Sequence, residues 1–180
     1  MTERGRSNYR RLRMLVLTSG IVASSIISIG SVGLRVNVTP SMPVGVYWAS
    51  ASSRAALVEF CPEEPFASES RERHYRPYGV VCRDGGAPVV KPVVARSGDI
   101  VEVNEAGIAV NGTRLPATVT LAADGEGRAL TPWPHGNYVV AADELWVASP
   151  GKLRSYDSRY MGPIRKRQVL GGLVPLWVLE

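Results

Sequence analysis

The sequence predicts a mainly β, antiparallel fold, sandwich- or barrel-like, behind one N-terminal transmembrane helix. Three observations predict it. Short β-branched runs recur along the chain, each broken by Gly, Pro, Asn or Asp. No long amphipathic helical pattern follows residue 34. Ahead of the runs, Met14–Leu34 is a 21-residue stretch without a charge.

Residues 1–13 carry Arg4, Arg6, Arg10, Arg11 and Arg13 against Glu3. They account for most of the net charge of +5, leaving 16 basic against 15 acidic residues in the rest of the chain. The body is therefore nearly neutral, and a nucleic-acid partner is not expected, because no aromatic-interleaved basic patch remains. The basic end reads as cytoplasmic. At about 1.5 Å per residue, residues 14–34 just cross a hydrocarbon core of about 30 Å. Thr18, five serines and three glycines dilute the stretch. Ser28 and Gly30 could flank the cleavage site of a signal peptide, but the length favours an uncleaved signal-anchor. Residues 35–180 are then expected outside the cytoplasm.

In that body, Leu57–Phe60, Gly79–Cys82, Val89–Ala95 and Asp99–Val103 read as strands. Gly107–Val110 runs into Asn111-Gly112, a two-residue hairpin signal. Tyr138–Val140, Leu145–Val147 and a segment around Leu173–Leu179 complete the set. Residues 112–136 read as an excursion from the sheet or a surface loop, and Glu69–Arg76 as a solvated loop. Arg165-Lys166-Arg167 reads as a solvated face. Cys61 and Cys82 are the chain's two cysteines, and in an exported domain a disulfide is their expected use. His74 and His135 are scattered, so neither a zinc site nor a Ser-His-Asp triad has support. No metal or other cofactor is expected.

The chemistry rests on Ser41 and Lys91. A serine hydroxyl is a weak nucleophile until a base takes its proton. Lysine serves only when neutral, and its ordinary pKa of about 10.4 must first be lowered by burial. Lys91 is the single charge in Ala87–Ala95, and on a strand it shares a face with Val89 and Val93. If that face is the core, the lysine is dry; the alternative is an edge lysine that blunts aggregation. Ser41, in Pro40-Ser41-Met42-Pro43, could equally be an ordinary turn residue. The third element is Ser155-Tyr156-Asp157-Ser158-Arg159-Tyr160. It reads as a hydrogen-bonded turn able to orient a buried base, or as a loop stabilised by Asp157 and Arg159.

In this order the three segments resemble the boxes of the signal peptidase I superfamily of Ser-Lys proteases. Thr39-Pro40-Ser41-Met42-Pro43 resembles the nucleophile box. Lys91–Val101, with its paired valines and Gly98-Asp99, resembles the lysine box, and Ser155–Tyr160 the Ser-x-Asp-Ser-Arg-Tyr box. The run Asn37–Tyr47 resembles the Asn-x-Thr-x-Ser-x-Pro-x-Gly-x-Tyr pattern of TraF-type peptidases of conjugative transfer, as does Val58–Pro62 their strand ending in Cys-Pro. Two departures stand out: Ala55-Ala56 replaces an expected Gly-Asp, and Pro92 an arginine common in relatives.

The resemblance implies a signal peptidase I-like antiparallel β-fold, a place for residues 35–180 on the periplasmic side of a bacterial inner membrane, and a set of roles. Ser41 would be the nucleophile and Lys91 the general base. The Ser41 N–H and Thr39 Oγ1 would form the oxyanion hole. Ser155 would aim Lys91. Asp157 stands where TraF-type enzymes need an aspartate, and Ser158 and Arg159 would give structural support. The implied substrate is an exported precursor with small residues at P1 and P3, a conjugative pilin precursor in the TraF-type case. Its acyl-enzyme would be resolved by water or by the pilin's own amine, which closes a ring. Membrane lipid and components of a conjugative secretion apparatus are the other expected partners. A general signal peptidase shares the boxes. A membrane-tethered, non-enzymatic scaffold of a secretion apparatus is the reading from a different class. A self-cleaving repressor-type protein would not need the anchor.

Overall fold

Alternating apolar positions and tight turns build the architecture across residues 33–38, 41–52 and 54–179, which a computed structural model describes. In chain order the strands are β1 (Leu34–Asn37), β2 (Gly45–Ser50), β3 (Leu57–Phe60), β4 (Val89–Ala95), β5 (Ile100–Asn104), β6 (Gly107–Val110), β7 (Thr113–Arg114), β8 (Gly136–Val139), β9 (Glu144–Val147), β10 (Ile164–Arg165) and β11 (Val169–Val178). Two short helices, Phe66–Glu72 and Ser158–Met161, and a 3-10 turn at Lys166–Gln168 complete the elements.

The strands form a seven-stranded sheet in the order β1-β2-β11-β3-β4-β9-β10 and a four-stranded sheet in the order β7-β6-β5-β8. Every pairing is antiparallel. The mainly β, antiparallel class is therefore the observed one. The expected membrane helix over residues 14–34 lies outside the described residues, apart from its last two. Gly33 is a turn residue whose carbonyl accepts a hydrogen bond from Ala49 N–H at 2.8 Å, and Leu34 opens β1 opposite Trp48. Among the described residues no helix is long and apolar enough to cross a membrane.

Three apolar clusters hold the sheets. Val101, Val103 and Ile108 of the smaller sheet pack with Ala95, Val140, Trp146 and Ala148. Val58, Phe60, Leu145 and Val147 pack with Met161 and Ile164. Met42, Tyr47 and Leu173 form the third, with Leu57, Val90 and Val178 against them. The hairpin at Asn111-Gly112 forms as expected, both residues taking positive φ (49° and 80°), as such a turn requires.

Several segments differ from the sequence expectations. Gly79–Cys82 is a bend rather than a strand, and Val80 is fully exposed. Its β-branched residues mimic a strand, but neighbouring contacts make it a tethered loop. Glu69–Arg76 is not a solvated loop. Its first half belongs to the helix Phe66–Glu72, and Arg76 is buried and paired with Asp84, with further hydrogen bonds to Ser70 and to the carbonyls of Ala67 and Ala87. Finally, β1, β2 and β10 appear where no strand was expected, and the start of residues 112–136 stays in the smaller sheet as β7, the return strand of the Asn111-Gly112 hairpin.

Cys61, just past β3, is bonded to Cys82 across 21 residues. The bond closes the excursion that contains the helix and returns the chain toward β4. In the chain-entropy account, a loop of that length contributes about 3 kcal/mol. Reduction is accordingly expected to lower the urea midpoint of the folded protein, and a Cys61→Ser/Cys82→Ser variant should show the same loss with no further response to reductant.

Candidate active site

Lys91 lies in the middle of β4, opposite Val58 of β3. Val58, Val89 and Val93 all belong to or pack on the second apolar cluster, so strand alternation carries the Lys91 side chain inward with them. It is 5% exposed. Pro92 does not break the strand. Val93 N–H donates to the Ala56 carbonyl at 2.8 Å, and the Pro92 carbonyl accepts from Ala148 N–H at 3.1 Å. Opposite Leu57, Pro92 occupies a position whose missing N–H the ladder to β3 does not use.

The Lys91 ammonium donates to Ser155 Oγ at 2.8 Å. Burial pushes its pKa down to about 8 from an ordinary 10.5, with the Asp157 carboxylate pulling it up and the Arg159 guanidinium pushing it further down. A large fraction of this lysine is therefore neutral at mildly alkaline pH, which an exposed lysine never achieves there.

The segment that brings Ser155 to Lys91 folds back onto the end of β9. Val147 N–H donates to Ser158 Oγ at 2.9 Å, and Ser149 N–H to Asp157 Oδ2 at 3.1 Å. Asp157 caps the helix Ser158–Met161, accepting from Arg159 N–H at 3.2 Å. Arg159 clasps both carboxylate oxygens of Asp157, Nε to Oδ1 at 2.9 Å and Nη2 to Oδ2 at 3.0 Å. Its remaining donors reach the carbonyls of Ala117, Val119, Lys152, Leu153 and Ser155. Asp157, Ser158 and Arg159 are all fully buried. A buried pair is tolerable only when its remaining hydrogen-bonding groups are satisfied, and here the guanidinium fork satisfies them across three separate stretches of chain.

Ser41 sits half-buried in the turn that leads into β2. The turn is gripped from both sides. Asn37 Nδ2 donates to the carbonyls of Met42 (3.3 Å) and Pro43 (3.1 Å), and the Tyr47 hydroxyl to the Pro43 carbonyl at 2.6 Å. Gly45 has to be glycine, because a Cβ there would meet the Trp177 carbonyl oxygen at 2.2 Å. These contacts give a physical reason for the spacing of Asn37, Pro43, Gly45 and Tyr47 noted in the sequence. Met42, next to Ser41, is buried in the third cluster, against which Val90, next to Lys91, also packs.

The structure thus brings together Lys91, Ser155, Asp157, Ser158 and Arg159. The Ser41 turn is tied to the same part of β4 through the Met42 cluster. Thr39 lies outside the described residues, and Cys61–Cys82 belongs to the loop between β3 and β4. Sequence reasoning missed Ser149, whose hydroxyl accepts from Ser155 Oγ at 3.2 Å. Its setting, Ala148-Ser149-Pro150-Gly151, reads only as a turn.

Comparison with known proteins places these residues in a family setting. Residues 12–177 match the family described as signal peptidase, peptidase S26. A plasmid transfer protein TraF of Escherichia coli is 34% identical over 164 residues, 89% of this chain and 92% of that protein. A conjugal transfer protein TraF of Agrobacterium fabrum is 36% identical over 168 residues, 90% of this chain and 93% of that one. Among solved structures, a signal peptidase I of Enterococcus faecalis aligns at 18% identity, over 70% of this chain and 99% of that one. The TM-score of that alignment is 0.37.

Proposed function

Because this chain belongs to the signal peptidase family, peptidase S26, and is a serine-type peptidase of the signal peptidase I superfamily, we propose that it processes an exported precursor at a membrane with Ser41 and Lys91 as a dyad. The precursor is a conjugative pilin, in keeping with the plasmid and conjugal transfer names of its relatives. The single observation that carries the reading is Lys91: buried, hydrogen-bonded to Ser155, and with its pKa lowered to about 8.

The chemistry follows from that lysine. Neutral Lys91 Nζ takes the proton of Ser41 Oγ as the oxygen attacks the scissile carbonyl. The Ser41 N–H, together with Thr39 Oγ1, stabilises the oxyanion; losing one such donor typically costs about 10²–10³ in rate. The Lys91 ammonium then gives its proton to the leaving amine, and an ester on Ser41 remains. Lys91 next takes a proton from water, which yields a linear product, or from the precursor's own amine, which yields a ring. Ser155 aims Lys91, and Asp157 with Arg159 holds Ser155 and the end of β9 against β4.

The body fits a membrane-side location with the catalytic domain in the periplasm. Val36, Trp48, Val174, Leu176 and Trp177 are exposed on the neighbouring strands β1, β2 and β11. Trp48 lies opposite both Leu34 and Val174, and Val46 opposite both Val36 and Trp177, so these six apolar residues share a face, with Leu176 in the bulge beside Trp177. That face begins at Leu34, where the uncharged stretch of the sequence ends. Tryptophans of this kind suit the bilayer interface.

Co-expression of the full chain with pilin precursors of the same transfer system, read by intact-mass spectrometry, tests the reading. Shortening with the wild type and not with Ser41→Ala or Lys91→Ala supports it, and a mature mass one water below the linear product adds cyclisation. Unchanged pilin precursors beside processing of many other exported proteins would instead favour a general signal peptidase. No processing of any precursor would favour the scaffold.

The lysine also sets the pH response. Reaction needs the neutral amine, so kcat/KM is expected to rise with pH through an apparent pKa near 8 and to fall about tenfold per unit well below it. A flat profile between pH 6 and 9 would contradict Lys91 as base.

A further inference from the structure

Ser155 can face Lys91 in two ways, and only one leaves the lysine competent. A serine hydroxyl has one hydrogen and two lone pairs, and a neutral amine has two hydrogens and one lone pair. If Ser155 accepts from Lys91, the amine's lone pair is available for the proton of Ser41. If Ser155 donates to Lys91, it occupies that lone pair. The direction of one hydroxyl therefore decides whether the base can act.

We infer that Ser149 is a positioning residue that sets this direction, by accepting the Ser155 proton and so keeping Ser155 an acceptor toward Lys91. The inference rests on the Ser41–Lys91 reading above and deepens it. Ser155 Oγ receives Lys91 Nζ at 2.8 Å and donates onward to Ser149 Oγ at 3.2 Å. Ser149 and Ser155 are both buried, so bulk water does not readily substitute as the acceptor.

Ser149 is also held rigidly enough to do this. Its N–H is bonded to Asp157 Oδ2 at 3.1 Å, and its carbonyl accepts from Lys152 N–H at 3.1 Å. The preceding residue, Ala148, is bonded to the Pro92 carbonyl beside Lys91. Asp157 thereby acquires a second task besides pairing with Arg159: it fixes the backbone of the residue that orients Ser155. The charges acting on Lys91 are Asp157 and Arg159. Val58, opposite it on β3, and Val147, across from Val93 on β9, contribute none. Ser149 is uncharged, so its influence on the lysine runs through the hydrogen bond.

Ser149→Ala removes the acceptor and nearly preserves the volume. The freed Ser155 proton turns to Lys91 Nζ, which blocks the lone pair and favours the neutral amine. The expected signature is a combination that a loosened fold does not produce. The maximal rate of acylation falls about tenfold with KM unchanged, while the rising limb of the pH profile moves to lower pH.

The experiment uses the full chain in detergent and the p-nitrophenyl ester of acetyl-Ala-Ala-Ala, following the nitrophenolate burst from pH 6 to 10. Wild type, Ser41→Ala, Ser149→Ala, Ser155→Ala and the Ser149→Ala/Ser155→Ala double variant are compared. The inference predicts the slower, downshifted profile for Ser149→Ala and no further loss when it is added to Ser155→Ala. A Ser149→Ala profile matching wild type overturns it, and so does an equal additional loss in the Ser155→Ala background. A wild-type burst no larger than that of Ser41→Ala overturns the dyad reading itself, a result distinct from either of these.

Discussion

If Ser41 and Lys91 act as the proposed nucleophile and base, replacing Ser41 by alanine or Lys91 by methionine is expected to slow precursor processing by about 10⁴–10⁶, because members of such a unit fail together when either is removed. The lysine variant separates function from folding. Lys91 carries its charge in a site only 5% exposed to solvent, and burial has lowered its pKa from 10.5 to about 8. The unfolded chain therefore binds more protons than the folded one between those values, and stability rises as pH rises through that window. Below pH 8 the buried ammonium costs up to about 3 kcal/mol, which is relieved toward pH 10.5. Lys91→Met removes the charge while keeping an unbranched apolar stem. It should unfold at higher temperature than the wild type at pH 6–7 while processing nothing. An inactive variant that is also strongly destabilised would point to a structural lysine instead.

The second large effect is on stability. Arg159→Met is expected to cost about 3–5 kcal/mol in urea unfolding, because it leaves the Asp157 carboxylate buried and uncompensated. It also strips a donor from the carbonyls of Ala117, Val119, Lys152, Leu153 and Ser155. For a domain of ordinary stability, about 5–15 kcal/mol, this is a large fraction of the total. Arg159→Lys should recover little, since an ammonium cannot reproduce the planar fork that binds both carboxylate oxygens and the surrounding carbonyls. A loss under about 1 kcal/mol for Arg159→Met would contradict this account of the core.

Much of this site was legible in the sequence because it depends on local pattern. β3 and β4 follow β-branched alternation, and that alternation also placed Lys91 on the face of Val89 and Val93. The polar–aromatic mixture of Ser155–Tyr160 marked a hydrogen-bonded turn, and the turn leads into the helix Ser158–Met161. What escaped depends on partners distant in the chain. β1 and β2 escaped because their outward face is apolar, with Val36 and Trp48 exposed, so the usual inside–outside contrast is weak. The helix Phe66–Glu72 has little apolar periodicity and is held in place by the buried Arg76 and the Cys61–Cys82 bond. Ser149 reaches Ser155 only because β9 pairs with β4 and Asp157 folds back onto the end of β9, a closure that no local spacing announces.

In the proposed dyad Ser41 forms the covalent intermediate with Lys91 as its base. The most direct test is to acylate the full chain with a peptidyl fluorophosphonate ending in alanine and map the adduct by mass spectrometry across pH. One adduct is expected, on Ser41, forming faster as pH rises through about 8 and nearly absent in Lys91→Met. An adduct on another residue, or one that forms on Ser41 at the same rate with Lys91 replaced, would contradict it.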